Sequence, residues 1–149
     1  MKGRRDYEDR SAGTQLRYEA ADGTVADVYV YPGPDLADNC AMDCAKSVIA
    51  NEVKTFESGF PEMVRLGYVQ TIGITAREEL TPPANAAWRL GHHLTMDVVR
   101  DSKPQRSEFY LFYVPKYRVK IRATYAETPE RLAAVRAFAD ALVPAMTRP

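Results

Sequence analysis

Two cysteines, two histidines and a short basic row carry most of the side chains in this chain that are able to do chemistry. Cys40 and Cys44 are four residues apart, which on a helix sets both on one side. Zinc would need two further ligands, and neither a second cysteine pair nor a His-x3-5-His follows. Thiols on successive turns of a regular helix do not readily reach disulfide geometry. The pair is therefore expected to serve as small core or near-core side chains, with a redox pair at a distorted helix start or a metal site as the alternatives. His92 and His93 are adjacent, and adjacent strand residues point to opposite faces, so the two are badly arranged to ligate one metal ion. His92 falls in an apolar row and is expected as a hydrogen-bonded core residue. His93 falls outward with Arg89, Thr95 and Asp97, a row that offers a base with a carboxylate to orient it but marks no nucleophile beside it.

The basic row is Arg118, Lys120 and Arg122, flanked in the sequence by Tyr110, Phe112 and Tyr117. Alternating cations of this kind grip phosphates, and neighbouring aromatic rings stack bases. RNA-binding sheets, however, carry an aromatic-glycine signature that is absent here. The formal net charge of zero also argues against nucleic acid, whose binding surfaces need a positive excess. A protein or a small anionic ligand is the expected partner. Tyr29 and Tyr31 lie on the outer face of an early strand, where such rings serve an interface or underlie a helix. No phosphate-binding glycine loop, dinucleotide fingerprint, His-Glu-x-x-His or Gly-x-Ser-x-Gly occurs. No cofactor is called for, and catalysis is the less favoured expectation.

The elements that must position these groups follow from periodicity. Residues 1–13 are polar and aperiodic and are expected as a flexible arm outside the core. Leu16, Tyr18 and Ala20 alternate with polar neighbours as in a half-buried strand. Asp22-Gly23 turns the chain, and Val25 to Tyr31 returns as a second strand. Pro32-Gly33-Pro34 ends it. A helix is expected from Leu36 to Glu57, with Ala41, Cys44, Ala45, Val48, Ile49, Val53 and Phe56 as its apolar stripe and Gly59 and Pro61 as its stop.

A strand from Arg65 to Glu78 is next, with Tyr68, Ile72 and Ile74 on one face. The strand Ala86 to Arg100 alternates throughout, setting Trp88, Leu90, His92, Leu94, Met96 and Val98 inward. After a polar turn from Asp101 to Gln105, the stretch Arg106 to Val114 is aromatic on both faces and predicts a central strand covered on two sides. Pro115-Lys116 reverses the chain into Tyr117–Tyr125, oily on one face and basic on the other. Thr128-Pro129-Glu130 is a helix start, and Leu132, Val135, Phe138, Ala139, Leu142 and Met146 form the stripe of a closing helix.

These elements make one α+β domain over residues 14–149, an antiparallel sheet of about six strands in the order β-β-α-β-β-β-β-α packed by two helices. The 149 residues suffice for a core, and 46% hydrophobic content excludes a disordered chain. No apolar run approaches the roughly 18 residues of a membrane-spanning helix. The start carries no apolar signal core, so a cytoplasmic protein is expected as written, or one of the periplasm or cell envelope if a leader has been removed. Charge is unevenly spread. Acid dominates residues 35–62, and Arg100, Lys103, Arg106, Lys116, Arg118, Lys120 and Arg122 face only Asp101 and Glu108. Mutual neutralisation inside the fold is the expectation.

The hairpin Leu16–Tyr31, the helix after Pro34, the meander and the closing Phe138-Ala139-Asp140-Ala141-Leu142 helix resemble the α/β/α-sandwich domains of the PsbP-like superfamily and related bacterial proteins. The likeness spans residues 14–146 in topology and segment style. It implies an accessory or binding role, often in exported proteins, and carries over no functional residue. The expectation is a non-enzymatic binding domain that engages a protein or small anionic ligand through a sheet face, with Arg89, His93, Arg118, Lys120, Arg122, Tyr29 and Tyr31 as candidate contacts. A small enzyme with its site near His93, Arg89 and Asp97 is one alternative. A self-associating domain whose acidic helix meets a neighbour's basic strands is another.

Overall fold

Side-chain parity explains the architecture of the computed structural model, which describes residues 1–33, 42–84, 86, 88–114 and 117–146. The strands are β1 (Gly3–Asp6), β2 (Thr14–Glu19), β3 (Val25–Pro32), β4 (Thr71–Leu80), β5 (Leu90–Arg100), β6 (Lys103–Val114) and β7 (Tyr117–Tyr125). The helices are α1 (Met42–Ser58), α2 (Phe60–Arg65) and α3 (Pro129–Met146). All seven strands form one antiparallel sheet in the order β1-β2-β3-β7-β6-β5-β4. The late strands form the predicted meander, and the early hairpin closes onto its last strand, so β7 lies inside the sheet.

Each face of the sheet is covered by a different helix. Leu90, Leu94, Met96 and Val98 of β5 stand beside Phe109, Leu111 and Tyr113 of β6 and pack under Ala45, Ile49 and Val53 of α1. On the opposite face Val28, Tyr110, Phe112, Val119, Ile121 and Tyr125 pack under Val135 and Ala139 of α3. The two-sided aromatic pattern of β6 is thus met by burial of every residue from Ser107 to Val114. Thr128 caps α3 as its sequence predicts, its Oγ1 accepting the Arg131 amide at 3.3 Å. No helix among the described residues is long and apolar enough to cross a membrane.

Four local expectations are corrected. Gly3–Asp6, in a stretch without periodicity, pairs with β2 as a seventh strand. All four of its residues are exposed, so it is held by backbone bonding at the sheet edge and leaves no apolar alternation in the sequence. Pro61 belongs to α2 at its first turn, a position proline favours, and does not end a helix. Tyr68 is therefore exposed ahead of β4 and shares no face with Ile72 and Ile74, which do pack against the cluster on the α1 side of the sheet. The turn before β6 shrinks to Asp101 and Ser102, both at positive φ, and Lys103 is already paired with Arg100. Residues 36–41 of the expected first helix lie outside the described residues.

Gly13 joins the N-terminal turn Arg10–Ala12 to β2. It sits at φ +69°, and a Cβ there would overlap the Val30 carbonyl oxygen and come within 2.6 Å of Tyr31 Cα. Backbone cannot yield to such contact cheaply. Gly13→Ala is expected to cost about 1–2 kcal/mol for the left-handed conformation alone and to lift β1 and its turn from the sheet. Amide exchange of Gly3–Asp6 reads this; unchanged protection in the variant would rule out the close packing.

Candidate functional site

The basic row is assembled by the pairing of β3 with β7. Opposite residues share a face, so Tyr31 meets Arg118, Tyr29 meets Lys120 and Asp27 meets Arg122. Five of the seven residues singled out from the sequence thus lie together, on the sheet face that α1 covers over β5 and β6. Their aromatic company is corrected. Tyr110 and Phe112 stand opposite Ile121 and Val119 and point to the α3 face, while Tyr29 and Tyr31 take their place beside the cations.

The three cations differ in how they are satisfied. Arg118 Nη1 lies 2.5 Å from Glu52 Oε2 of α1, so the acidic first helix meets the basic strand within one chain. Lys120 Nζ stands 4.7 Å above the Tyr29 ring and 5.5 Å from that of Tyr31. It has no carboxylate at ion-pair distance among the described residues, and neither does Arg122. Burial pushes the pKa of both below their ordinary values, because a charge removed from water is destabilised. The Tyr31 hydroxyl and Arg118 Nε are buried without a hydrogen-bond partner among the described residues. Beside them opens a cleft of about 310 Å³, lined by Tyr7, Ser11, Tyr29, Tyr31, Glu52 and Lys120. Tyr7 was not foreseen, because it comes from the aperiodic N-terminal stretch. Its hydroxyl donates to Gln15 Oε1 at 3.0 Å.

No protein-family model matches the chain, and no curated protein matches it. What its surfaces do must follow from their chemistry.

The histidine row is rearranged. His93, expected outward, is 5% exposed under the α3 side of the sheet, and His92, expected in the core, is only half-buried. Parity holds from Leu90 onward, but both faces are covered; Trp88, expected on the face of Leu90, lies ahead of β5 and packs on the α3 face instead. His93 Nε2 lies 2.5 Å from Glu108 Oε2, Thr95 donates to the same oxygen at 3.1 Å, and Tyr125 donates to Oε1 at 2.9 Å. Burial pushes the Glu108 carboxyl up, but the hydrogen bonds of His93 and Tyr125, the charge of His93 and the Thr95 hydroxyl together hold it below its ordinary value.

The His93 ring stacks on Tyr110 at 4.2 Å, and its Nδ1 lies 3.5 Å from Glu78 Oε2. A cleft of about 640 Å³ opens over this pair, between the β4 end of the sheet and α3. Asp97 does not join it, being drawn to Arg106 at 2.8 Å, and Arg89 is exposed and does not line the cleft. Neither serine nor cysteine stands among the described lining residues, and the His93 ring nitrogens face the carboxylates of Glu78 and Glu108 and not Thr81, the one threonine there. Glu108 was missed as a site residue. Its signal was the one acid of the strand, set directly before the apolar run Phe109–Val114.

Cys44 overturns its expectation as a small core side chain. It is exposed in the first turn of α1 and is disulfide-bonded. The chain's one other cysteine, Cys40, lies outside the described residues.

Proposed function

We propose that this protein is a binding domain for a small anionic ligand, held between β3 and β7 by Lys120, Arg122, Tyr29 and Tyr31. One observation carries the reading. Lys120 and Arg122 are half-buried cations with no acidic partner at bonding distance among the described residues, while Arg118 in the same row is neutralised by Glu52. Desolvated charge of this kind is costly unless something compensates it, and an anion would. Tyr29 and Tyr31 supply a rigid wall, and the Tyr31 hydroxyl a donor.

An accessory protein of PsbP-like type is part of this reading, supported by a single antiparallel sheet with helices on opposite faces. The disulfide at Cys44 favours an oxidising compartment such as the cell envelope. The Glu52–Arg118 pair inside one chain counts against self-association through the acidic helix and basic strands.

Titration with inorganic phosphate and with benzoate, followed by NMR of the tyrosine rings, tests the reading. Saturable shifts at Tyr29 and Tyr31 are expected, with affinity reduced about tenfold in Lys120→Gln, which corresponds to about 1.4 kcal/mol. Arg118→Gln is expected to act less, since its charge is already engaged. If Lys120→Gln and Arg122→Gln bind both anions as the unaltered protein does, the groove is not the site.

A further inference from the structure

The cleft on the α3 side plays no part in that reading, and its chemistry is of opposite sign. Glu78 and Asp140 line it, with Glu79, which also reaches Lys46 on the other face at 3.7 Å. Against these acids stand Arg136 and His93, and His93 is flanked by Glu78 and by the buried carboxylate of Glu108. A carboxylate or phosphate entering here would meet several acids at once.

One wall is aromatic. Trp88 meets Phe112 edge to face with ring centroids 5.2 Å apart, and Tyr110 lies parallel to Phe112 at 6.2 Å. Gly91 permits this closeness. A Cβ there would come within 3.1 Å of Phe112 Cδ1 and 3.2 Å of both the Leu80 and Trp88 side chains. Beside that wall, Tyr110 is 5% exposed, and its hydroxyl has no hydrogen-bond partner among the described residues. A buried hydroxyl left unmatched in a native structure points to a missing partner. Burial, then the charge of Glu108, pushes the pKa of this phenol up, so it stays neutral and its oxygen is free to accept an N–H.

We propose that this cleft binds a small organic cation, an ammonium group on an aromatic or branched apolar body. The body rests on Trp88 and Phe112, the charge is met by Glu78 and Asp140, and the Tyr110 hydroxyl accepts one N–H. The aromatic wall serves both parts, since ring faces attract cations as well as apolar surface. Arg136 is the exposed cation of the lining and opposes such a ligand, which makes it the most useful residue to change.

Trp88 is the only tryptophan in the chain, so its fluorescence reports on the cleft alone. Benzylamine is the probe, with benzyl alcohol and benzoate as its neutral and anionic counterparts. Benzylamine is expected to change Trp88 emission saturably and to bind at least about threefold more tightly than either counterpart. Glu78→Gln with Asp140→Asn is expected to weaken it about fivefold, and Arg136→Gln to tighten it about threefold. Glu78, Arg136 and Asp140 are exposed on the rim, so these variants are expected to fold, which circular dichroism checks. No saturable response to benzylamine, equal or tighter binding of benzoate, or weaker binding in Arg136→Gln each overturns the proposal. Lys120→Gln is expected to leave benzylamine binding unchanged, which separates this site from the groove on the opposite face.

Discussion

Glu108→Ala is expected to lower the unfolding free energy by about 3–5 kcal/mol, the range for removing one partner of a buried ionic pair. Glu108 is fully buried, and its two oxygens serve His93, Thr95 and Tyr125. Truncation strands all three polar groups under α3 beside an empty volume. Glu108→Gln keeps the shape and one acceptor oxygen and is expected to cost about 1–3 kcal/mol, the price of a buried group left unsatisfied. Replacing His93 and Glu108 together by leucine is expected to recover part of the loss, because no lone charge is then buried. Urea unfolding followed by Trp88 emission measures each variant. A Glu108→Ala protein within about 1 kcal/mol of the unaltered one would mean that the pair does not tie β5, β6 and β7 together.

The same carboxyl predicts an acid dependence. Its folded pKa lies below the ordinary value and its unfolded pKa at that value. The folded state therefore holds fewer protons, and Glu108 stabilises it fully above the ordinary glutamate value of about 4.3. That contribution is lost as pH falls through the folded value. The acid limb of the stability profile is expected to be shallower in Glu108→Gln than in the unaltered protein.

Phe109→Ala is the second large effect, at about 3–5 kcal/mol for a buried phenylalanine. Phe109 has no exposed surface and stacks on Phe56 of α1 with centroids 4.1 Å apart and planes 16° from parallel. It is the point where the first helix is pressed onto the centre of the sheet, among Ile49, Leu94 and Leu111. Phe56→Ala should cost less, because Phe56 is only half-buried. Chemical denaturation of the two variants provides the comparison, and equal losses would show that the stack, not burial of Phe109, dominates. Glu52 rides on the same helix, so loosening α1 is also expected to release Arg118 from its ion pair.

Much of the fold was legible because it is written in period. Alternation located β2, β3, β5 and β7, and the stripe of α3 places Val135 and Ala139 in the core. The two-sided aromatic run of β6 announced a central strand, and burial on both faces agrees. β1 and α2 were not legible. The edge strand β1 is polar on both sides and is held by backbone pairing, while α2 spans only six residues and begins at a proline that also serves as a stop.

The candidate sites were legible in part. Arg118, Lys120 and Arg122 share a face by parity, and that much follows from one strand. Which tyrosines accompany them depends on which strand lies beside β7 and in what register, a contact between residues some ninety positions apart. His93 could be assigned to the face opposite His92, but whether that face met water depended on where α3 docks.

The sequence by itself determined the alternating strands, the two long helices and their buried faces, though not β1 or α2, since local sterics and hydrophobic period act over a few residues. Tertiary structure alone decided that Glu108, from the next strand, is the partner of His93, that Glu52 neutralises Arg118 while Lys120 and Arg122 have no carboxylate at ion-pair distance among the described residues, and that an acid-rimmed cleft lies on the face opposite the basic row. Register and helix docking bring distant residues within a few ångströms, and burial then gives their charges a weight that spacing along the chain does not reveal.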